Sequence, residues 1–324
     1  MTVNTGREPA TAALPEAAGI LGRPSDLAGA GLADPVDFPA TAGRSAGTGA
    51  PGHLAGSWGP LLRRPGFAVA ALFLLCVLIS AVFPGLFARQ GPDVTDGADK
   101  LLAPSARHWF GTDELGRDLY SRVIHGTGLT IEGTLLAVGI AVVAGLTIGI
   151  VSGFFGRWID MLLMRAVDVI LAIPALLLAL TIVTALGFGT VPVAIAVGIG
   201  ITPGFVRTTR AEVLKVKTLP YIEAARTGGA RWPRVLLRHI LPNSWGPVLV
   251  LALLDIGTAI LVISSLSFLG FGTPPPAADW GSLIFDGSNY LITSPWLALL
   301  PGAFVATVVF SVNHIARTIQ ELQA

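Results

Sequence analysis

Residues 169–206 read VILAIPALLLALTIVTALGFGTVPVAIAVGIGITPGFV, 38 consecutive positions without a charged side chain. As one helix this stretch would be about 57 Å long, nearly twice the ~30 Å hydrocarbon thickness of a bilayer. It must fold back. The reversal falls at Leu186-Gly187-Phe188-Gly189-Thr190-Val191-Pro192, where two glycines and a proline supply a tight turn between two membrane helices. Outward from this pair, Gly66 to Ala88 is an uncharged run of 23 residues, and Gly133 to Gly156 is another of 24 with Glu132 at its edge. A further apolar stretch runs from Pro247 to Phe271, interrupted only by Asp255, and a last one from Trp296 to Ile315. The fold class expected is an all-α membrane protein with six transmembrane helices, at about 66–88, 132–156, 166–186, 190–206, 247–271 and 296–315.

Composition agrees with a membrane setting. The 324 residues are 52% hydrophobic and 13% charged, with a mean hydropathy of +0.71. Soluble domains carry about 25% charged residues, so an ordinary soluble enzyme is excluded. The 21 Lys and Arg against 20 Asp and Glu leave a formal charge of +1, which gives no bulk attraction for nucleic acid. The single cysteine, Cys76, excludes an intrachain disulfide and a Cys-based zinc site.

Residues 1–60 are dominated by Ala, Gly, Pro, Ser and Thr without helical or strand periodicity. Such a segment cannot bury enough apolar surface to offset its chain entropy, so a disordered cytoplasmic tail is expected, with a docking or regulatory segment as the alternative. The first long apolar run begins too late for a cleaved signal peptide, so this tail is expected to stay on the protein. The transmembrane domain then occupies 61–324.

Lys and Arg in short loops mark the cytoplasmic side. With the N-terminus inside, 16 of the 21 basic residues lie in cytoplasmic segments, and the other five all lie between the first two spans. Both termini are therefore expected in the cytoplasm.

No catalytic constellation is visible. The five histidines are scattered, and no HExxH, GxSxG or paired-carboxylate pattern occurs. A P-loop needs Gly-Lys-Ser/Thr, but Lys217-Thr218 follows Val216, so ATP is not bound by that route. Asp255 is the only acid well inside a span. It is read either as a packing hydrogen bond or as a group lining a path.

The loop at 207–246 is the informative one, with eight basic residues against Glu212 and Glu223. Pro220 is placed to open a short helix through Tyr221-Ile222-Glu223-Ala224-Ala225-Arg226-Thr227, which ends at Gly228-Gly229. Pro233 would open a second, stopped at Leu241-Pro242-Asn243. Small residues on such a protrusion permit close approach by another protein. The alternative is a basic hairpin that only anchors topology.

Glu223-Ala224-Ala225, then Gly229, then His239-Ile240-Leu241-Pro242 resembles the EAA signature of the membrane permease subunits of bacterial ABC importers. His108-Trp109-Phe110-Gly111-Thr112-Asp113-Glu114-Leu115-Gly116-Arg117-Asp118-Leu119-Tyr120-Ser121-Arg122 is similar to the GTDxxGRDxxSR segment of dipeptide, oligopeptide and nickel permeases, specifically the C-type subunit. Here Thr112 or Asp113 is expected to cap a helix lying on the outer membrane surface, with Leu115, Leu119 and Val123 on one side. Leu266-Ser267-Phe268-Leu269-Gly270-Phe271-Gly272 with Trp280-Gly281, and Ser294-Pro295-Trp296 with Pro301-Gly302, extend the resemblance over about residues 65–313. The chain departs from the family at Gly128, where an Arg is usual, at Ile263, where an acid is common, and after Asn313.

The resemblance implies a transport subunit without bond-making chemistry. The EAA loop becomes a coupling helix that docks on an ATPase subunit, a role carried here by Glu223, Ala224, Ala225, Arg226, Gly228 and Gly229. Gly111, Thr112, Asp113, Gly116, Arg117 and Asp118 form the outer-surface motif. The chain itself would bind no cofactor or metal, ATP and magnesium residing on the partners. Those partners would be a second homologous permease subunit, one or two cytoplasmic ATPase subunits and an extracellular substrate-binding protein, assembled in the lipid of the bacterial cytoplasmic membrane. The implied cargo is di- or oligopeptides, with nickel or another small solute as the alternative. A stand-alone ion-coupled transporter would require inverted repeats or several mid-membrane acids, and neither is evident.

Overall fold

The computed structural model describes residues 65–323, and the tail expected over 1–60 lies outside them. Ten α-helices account for most of the described residues. In chain order they are α1 (Pro65–Val82), α2 (Leu119–Phe155), α3 (Arg157–Ala172), α4 (Ala175–Leu186), α5 (Thr190–Lys217), α6 (Pro220–Thr227), α7 (Trp232–Val235), α8 (Leu241–Leu266), α9 (Trp280–Ser288) and α10 (Trp296–Gln323). Two five-residue π-helical turns, Leu236–Ile240 and Ser267–Phe271, flank α8.

Five helical stretches are each long and apolar enough to cross a bilayer, and the bent pair α3–α4 brings the count to six. The expected single span at 166–186 is therefore corrected. It is broken by 94° between α3 and α4. Pro174 has no N–H to continue the ladder and its ring pushes the preceding residue out of the helical region, so Ile173 turns extended at φ −93°, ψ 128°. α4 keeps only 12 residues, about 18 Å, too short to cross a bilayer alone. The turn anticipated at 186–192 is present, with Gly187 and Gly189 at φ +100° and +120°.

The core of the bundle is the α2–α5 pair. Gly145, Gly149 and Gly153 recur every fourth residue on α2, and a Cβ at these positions would lie 2.2, 2.6 and 2.8 Å from side-chain atoms of Phe205, Thr209 and Val213 on α5. Small residues at this spacing let two helix backbones approach, which van der Waals packing rewards in lipid, where no hydrophobic force drives helices together. Around this seam, Ala179 and Val183 of α4, Val193 and Val197 of α5 and Ala259 and Ile263 of α8 form one apolar cluster. A second cluster joins α1, α2, α9 and α10 through Val77, Val123, Trp280 and Val305.

Two boundaries differ from the sequence reading. The outer helix and the second span are one 37-residue helix, α2, whose N-cap is Asp118 rather than Thr112 or Asp113: its carboxylate accepts from the Ser121 N–H at 2.8 Å. Leu115 precedes the helix and is exposed. The stop expected at Leu241-Pro242-Asn243 is absent, because the chain runs from α7 through the π turn into α8. The widened turn brings the Leu241 N–H to the Leu236 carbonyl just before Pro242, which falls in the first turn of α8, where its missing donor costs little. Asn243 Nδ2 donates to the His239 carbonyl at 2.6 Å.

Candidate functional site

The 207–246 loop is built on the end of α5. Lys217 Nζ donates to the Phe154 carbonyl at 2.7 Å, so its cation sits at the C-terminus of α2, where the helix dipole favours it. Next to it Ser152 of α2, Asp160 of α3 and Arg210 of α5 form one network, the Asp160 carboxylate accepting from Arg210 Nε at 2.5 Å and Nη2 at 2.6 Å. This bidentate pair ties three helices together beneath the loop.

α6 starts at Pro220 as expected and is pinned by one side chain. Ile222 is fully buried among Val213, Val216, Val235 and Ile240. The opposite face is left free: Glu223, Ala224 and Arg226 are exposed, and Ala225 is half-buried. The helix is closed by a Schellman motif, in which the Ala230 N–H reaches the Ala225 carbonyl and the Gly229 N–H the Arg226 carbonyl, both at 3.0 Å. Gly228 is the C-cap and Gly229 takes φ +81°. The Arg226 guanidinium lies 5.9 Å from the Phe154 ring centroid, and Trp232 packs against Phe154 and Phe155. Glu223 makes no side-chain hydrogen bond or ion pair among the described residues. The six residues expected to carry coupling thus share one short, anchored element on which all but Ala225 are exposed.

The outer-surface motif is gathered at the other end of α2. Asp113 is its hub. One carboxylate oxygen accepts the N–H groups of Leu115 and Arg117 at 2.9 Å each, and the other accepts Arg117 Nε at 2.6 Å and Arg122 Nη1 at 2.8 Å. Asp118, besides capping α2, pairs with His108 Nδ1 at 2.9 Å. Thr112 Oγ1 accepts from the Leu102 N–H at 2.9 Å and donates to the Asp99 carbonyl. Gly111 and Gly116 both take φ +79°, each pressed against the backbone of the preceding loop, at Leu102 and Asp96. Sequence spacing did not reveal Arg122 and Asp279 as partners in this construction. Asp279 caps α9 through a capping box with Ser282, and Trp280, fully buried, donates its indole N–H to the Val123 carbonyl at 3.2 Å. The order S/D-x-x-S before an apolar run carried the capping signal.

Asp255 lies in the middle of α8, half-buried, with no hydrogen bond or ion pair among the described residues. The structure does not bring it to either motif.

These features can be set beside known proteins. Residues 145–323 match the family described as binding-protein-dependent transport system inner membrane component. The chain is similar to the dipeptide transport system permease protein DppC of Alkalihalophilus pseudofirmus, at 37% identity over 255 residues, covering 78% of this chain and 84% of that one. It is also similar to the glutathione transport system permease protein GsiD of Pectobacterium atrosepticum, at 34% identity over 257 residues, covering 79% and 85%. Among solved structures, an inward-facing form of the MetNI methionine ABC transporter aligns with a TM-score of 0.51 at 17% identity, covering 63% of this chain and 96% of that chain, a likeness of fold alone. With a matched model over more than half its length and relatives above one-third identity along more than four-fifths of theirs, the chain belongs to the binding-protein-dependent transport system inner membrane component family.

Proposed function

We propose that this chain is one of two permease subunits of an ATP-driven importer of short peptides in the bacterial cytoplasmic membrane. α6 is its coupling element. Substrate arrives on an extracellular binding protein, ATP and magnesium sit on ATPase subunits, and closure of those subunits pushes α6, which moves α5 and α8 on either side of it. The observation that carries this reading is the construction of α6: a single buried anchor, Ile222, and an exposed outward face of Glu223, Ala224 and Arg226 on which Glu223 has no hydrogen-bond or ion-pair partner among the described residues. A helix fixed at its root and bare on its face is suited to seat in a cleft of another protein.

Orientation with both termini and residues 207–246 in the cytoplasm follows from the distribution of basic residues. Asp255 faces the translocation path, because a half-buried carboxylate in a span with no partner among the described residues belongs in the bundle interior or next to water and not in lipid. Peptide cargo is supported by the relatives named for dipeptide and glutathione transport.

Two measurements test the reading. Glu223→Lys reverses the one acid on the bare face. It is expected to abolish uptake of a labelled tripeptide and co-purification of the ATPase subunits, while membrane abundance stays at the wild-type level. Wild-type uptake would remove the coupling role. Uptake of the tripeptide and of radioactive nickel by a deletion strain separates cargoes: peptide entry should fall with nickel entry unchanged, and the reverse result would overturn the peptide assignment.

A further inference from the structure

The two signatures at the far end of the bundle from α6 are not used by coupling, and a cavity of about 480 Å³ lies between them. That volume is within the ~300–1,000 Å³ range of small-molecule pockets. Arg117, Arg122 and Glu114 line it from the segment before and at the start of α2, Asp286 and Phe285 from α9, and Phe188 from the turn between α4 and α5. Phe188 and Phe285 are exposed and give the cavity apolar wall, whereas the two arginines are buried.

The charges around the cavity are not fully used within the chain. Arg117 is spent on Asp113 and lies 3.5 Å from Glu114. Arg122, 4% exposed, makes one side-chain hydrogen bond among the described residues, to Asp113, although a guanidinium carries five N–H donors. Asp286 makes no hydrogen bond or ion pair among the described residues. Burial pushes its carboxyl pKa above the ordinary value, with Glu114 and Asp113 adding to that shift and Arg122 and Arg117 opposing it; Asp286 and Arg122 line the same cavity. This cavity thus holds a cation with donors left over on one wall and, on another, a half-buried carboxylate with no partner among the described residues. Its complement is a molecule with a carboxylate and an ammonium a short distance apart.

We propose that this cavity is a receiving site for a short peptide with free termini, the carboxylate held by the Arg122 guanidinium and the α-ammonium by the Asp286 carboxylate. The site takes cargo before it enters the path between the spans. The assignment rests on the reading of the chain as a peptide permease with this end outside.

The test uses the full chain in the assembled transporter, in intact cells that lack the binding protein. Ala277, an exposed residue of the cavity lining, is replaced by Cys in a Cys76→Ala background, and its labelling by a membrane-impermeant maleimide is timed. Alanyl-alanine at millimolar concentration should slow labelling at least threefold. N-acetyl-alanyl-alanine and alanyl-alanine amide, each lacking one charge, should slow it by less than 1.5-fold. Asp286→Asn, nearly isosteric, should remove the protection by the free dipeptide at unchanged membrane abundance. Equal labelling with and without the dipeptide overturns the proposal, as does equal protection by the blocked peptides. Protection only by added ligand-free binding protein also overturns it, and makes the cavity a protein-docking surface. Peptide uptake in the strain that retains its binding protein separates the two levels. Uptake that depends on this chain without any protection removes the receiving site alone, whereas uptake independent of the chain removes the peptide reading with it.

Discussion

Gly229 shows how one backbone angle fixes the form of α6, the proposed coupling element. At φ +81° it closes the Schellman motif that ends α6, and no atom lies within 4 Å of where its Cβ would be. A substitution there is opposed by backbone strain and not by a clash, at about 1–2 kcal/mol for an ordinary L-residue and less for asparagine. Gly229→Leu should therefore weaken ATPase co-purification and uptake, and Gly229→Asn should retain most of both; equal loss in the two variants would mean that the angle is not what matters. Asp113 is the contrasting case, a residue whose work is internal. It pairs with two buried guanidiniums, and removing one partner of a buried ion cluster costs about 3–5 kcal/mol. Asp113→Ala should lower the thermal midpoint of the detergent-solubilised protein and its membrane abundance, whereas Asp93→Ala in the same outer segment should change neither. The sequence alone marked Asp113 as a candidate helix cap. It could not reveal the cluster, because Arg122 lies on the far side of the helix start and only the fold brings both arginines to one carboxylate. Ile263 is likewise explained by its surroundings: it is 4% exposed in an apolar cluster, where an acid would need a partner the cluster does not offer.

At the scale of elements, the long uncharged runs made the helices legible, because hydrocarbon admits few other structures. Their breaks were less legible. Pro203, Pro247 and Pro301 all sit inside continuous helices while Pro174 divides one, and no local signal distinguishes them. The difference lies in tertiary support, since α5, α8 and α10 are packed by neighbours on several sides and α4 is held mainly by α5. The glycine stripe of α2 was legible in principle as a small residue every fourth position, and it decides where α5 lies. Gly149→Leu should force the α2–α5 seam apart, since even a Cβ there would be 2.6 Å from the Thr209 Cβ. Overpacking of this kind costs about 1–3 kcal/mol or more. The expected outcome is reduced folded protein in the membrane. Gly139→Leu, on an open face of the same helix with nothing within 4 Å, is expected to be neutral, and a matching loss there would show that helix flexibility and not the seam is at stake.

For the whole molecule the remaining question is which end faces the cytoplasm, and the basic residues support the proposed orientation in two ways. Of the 16 basic residues among the described ones, 11 fall on the side of residues 207–246, as the positive-inside rule requires of a cytoplasmic face. Four of the five on the other side have structural employment that accounts for their presence there. Arg107 pairs with Asp99 at 3.1 Å, Arg117 and Arg122 share Asp113, and Arg89 donates to the Ala106 carbonyl while lying 4.2 Å from the Trp109 ring centroid. By contrast Arg231, Arg234 and Arg238 are exposed and have no acidic partner among the described residues, so nothing in the fold requires them except the side on which they lie. Ala103 and Thr218 are both exposed and lie near opposite ends of the bundle, which makes them suitable reporters. In a Cys76→Ala background, Ala103→Cys should react with an impermeant thiol reagent in intact cells, and Thr218→Cys only after the membrane is permeabilised. The opposite pattern would invert the molecule, placing α6 outside, away from any source of ATP, and the coupling role and the receiving cavity would fall together.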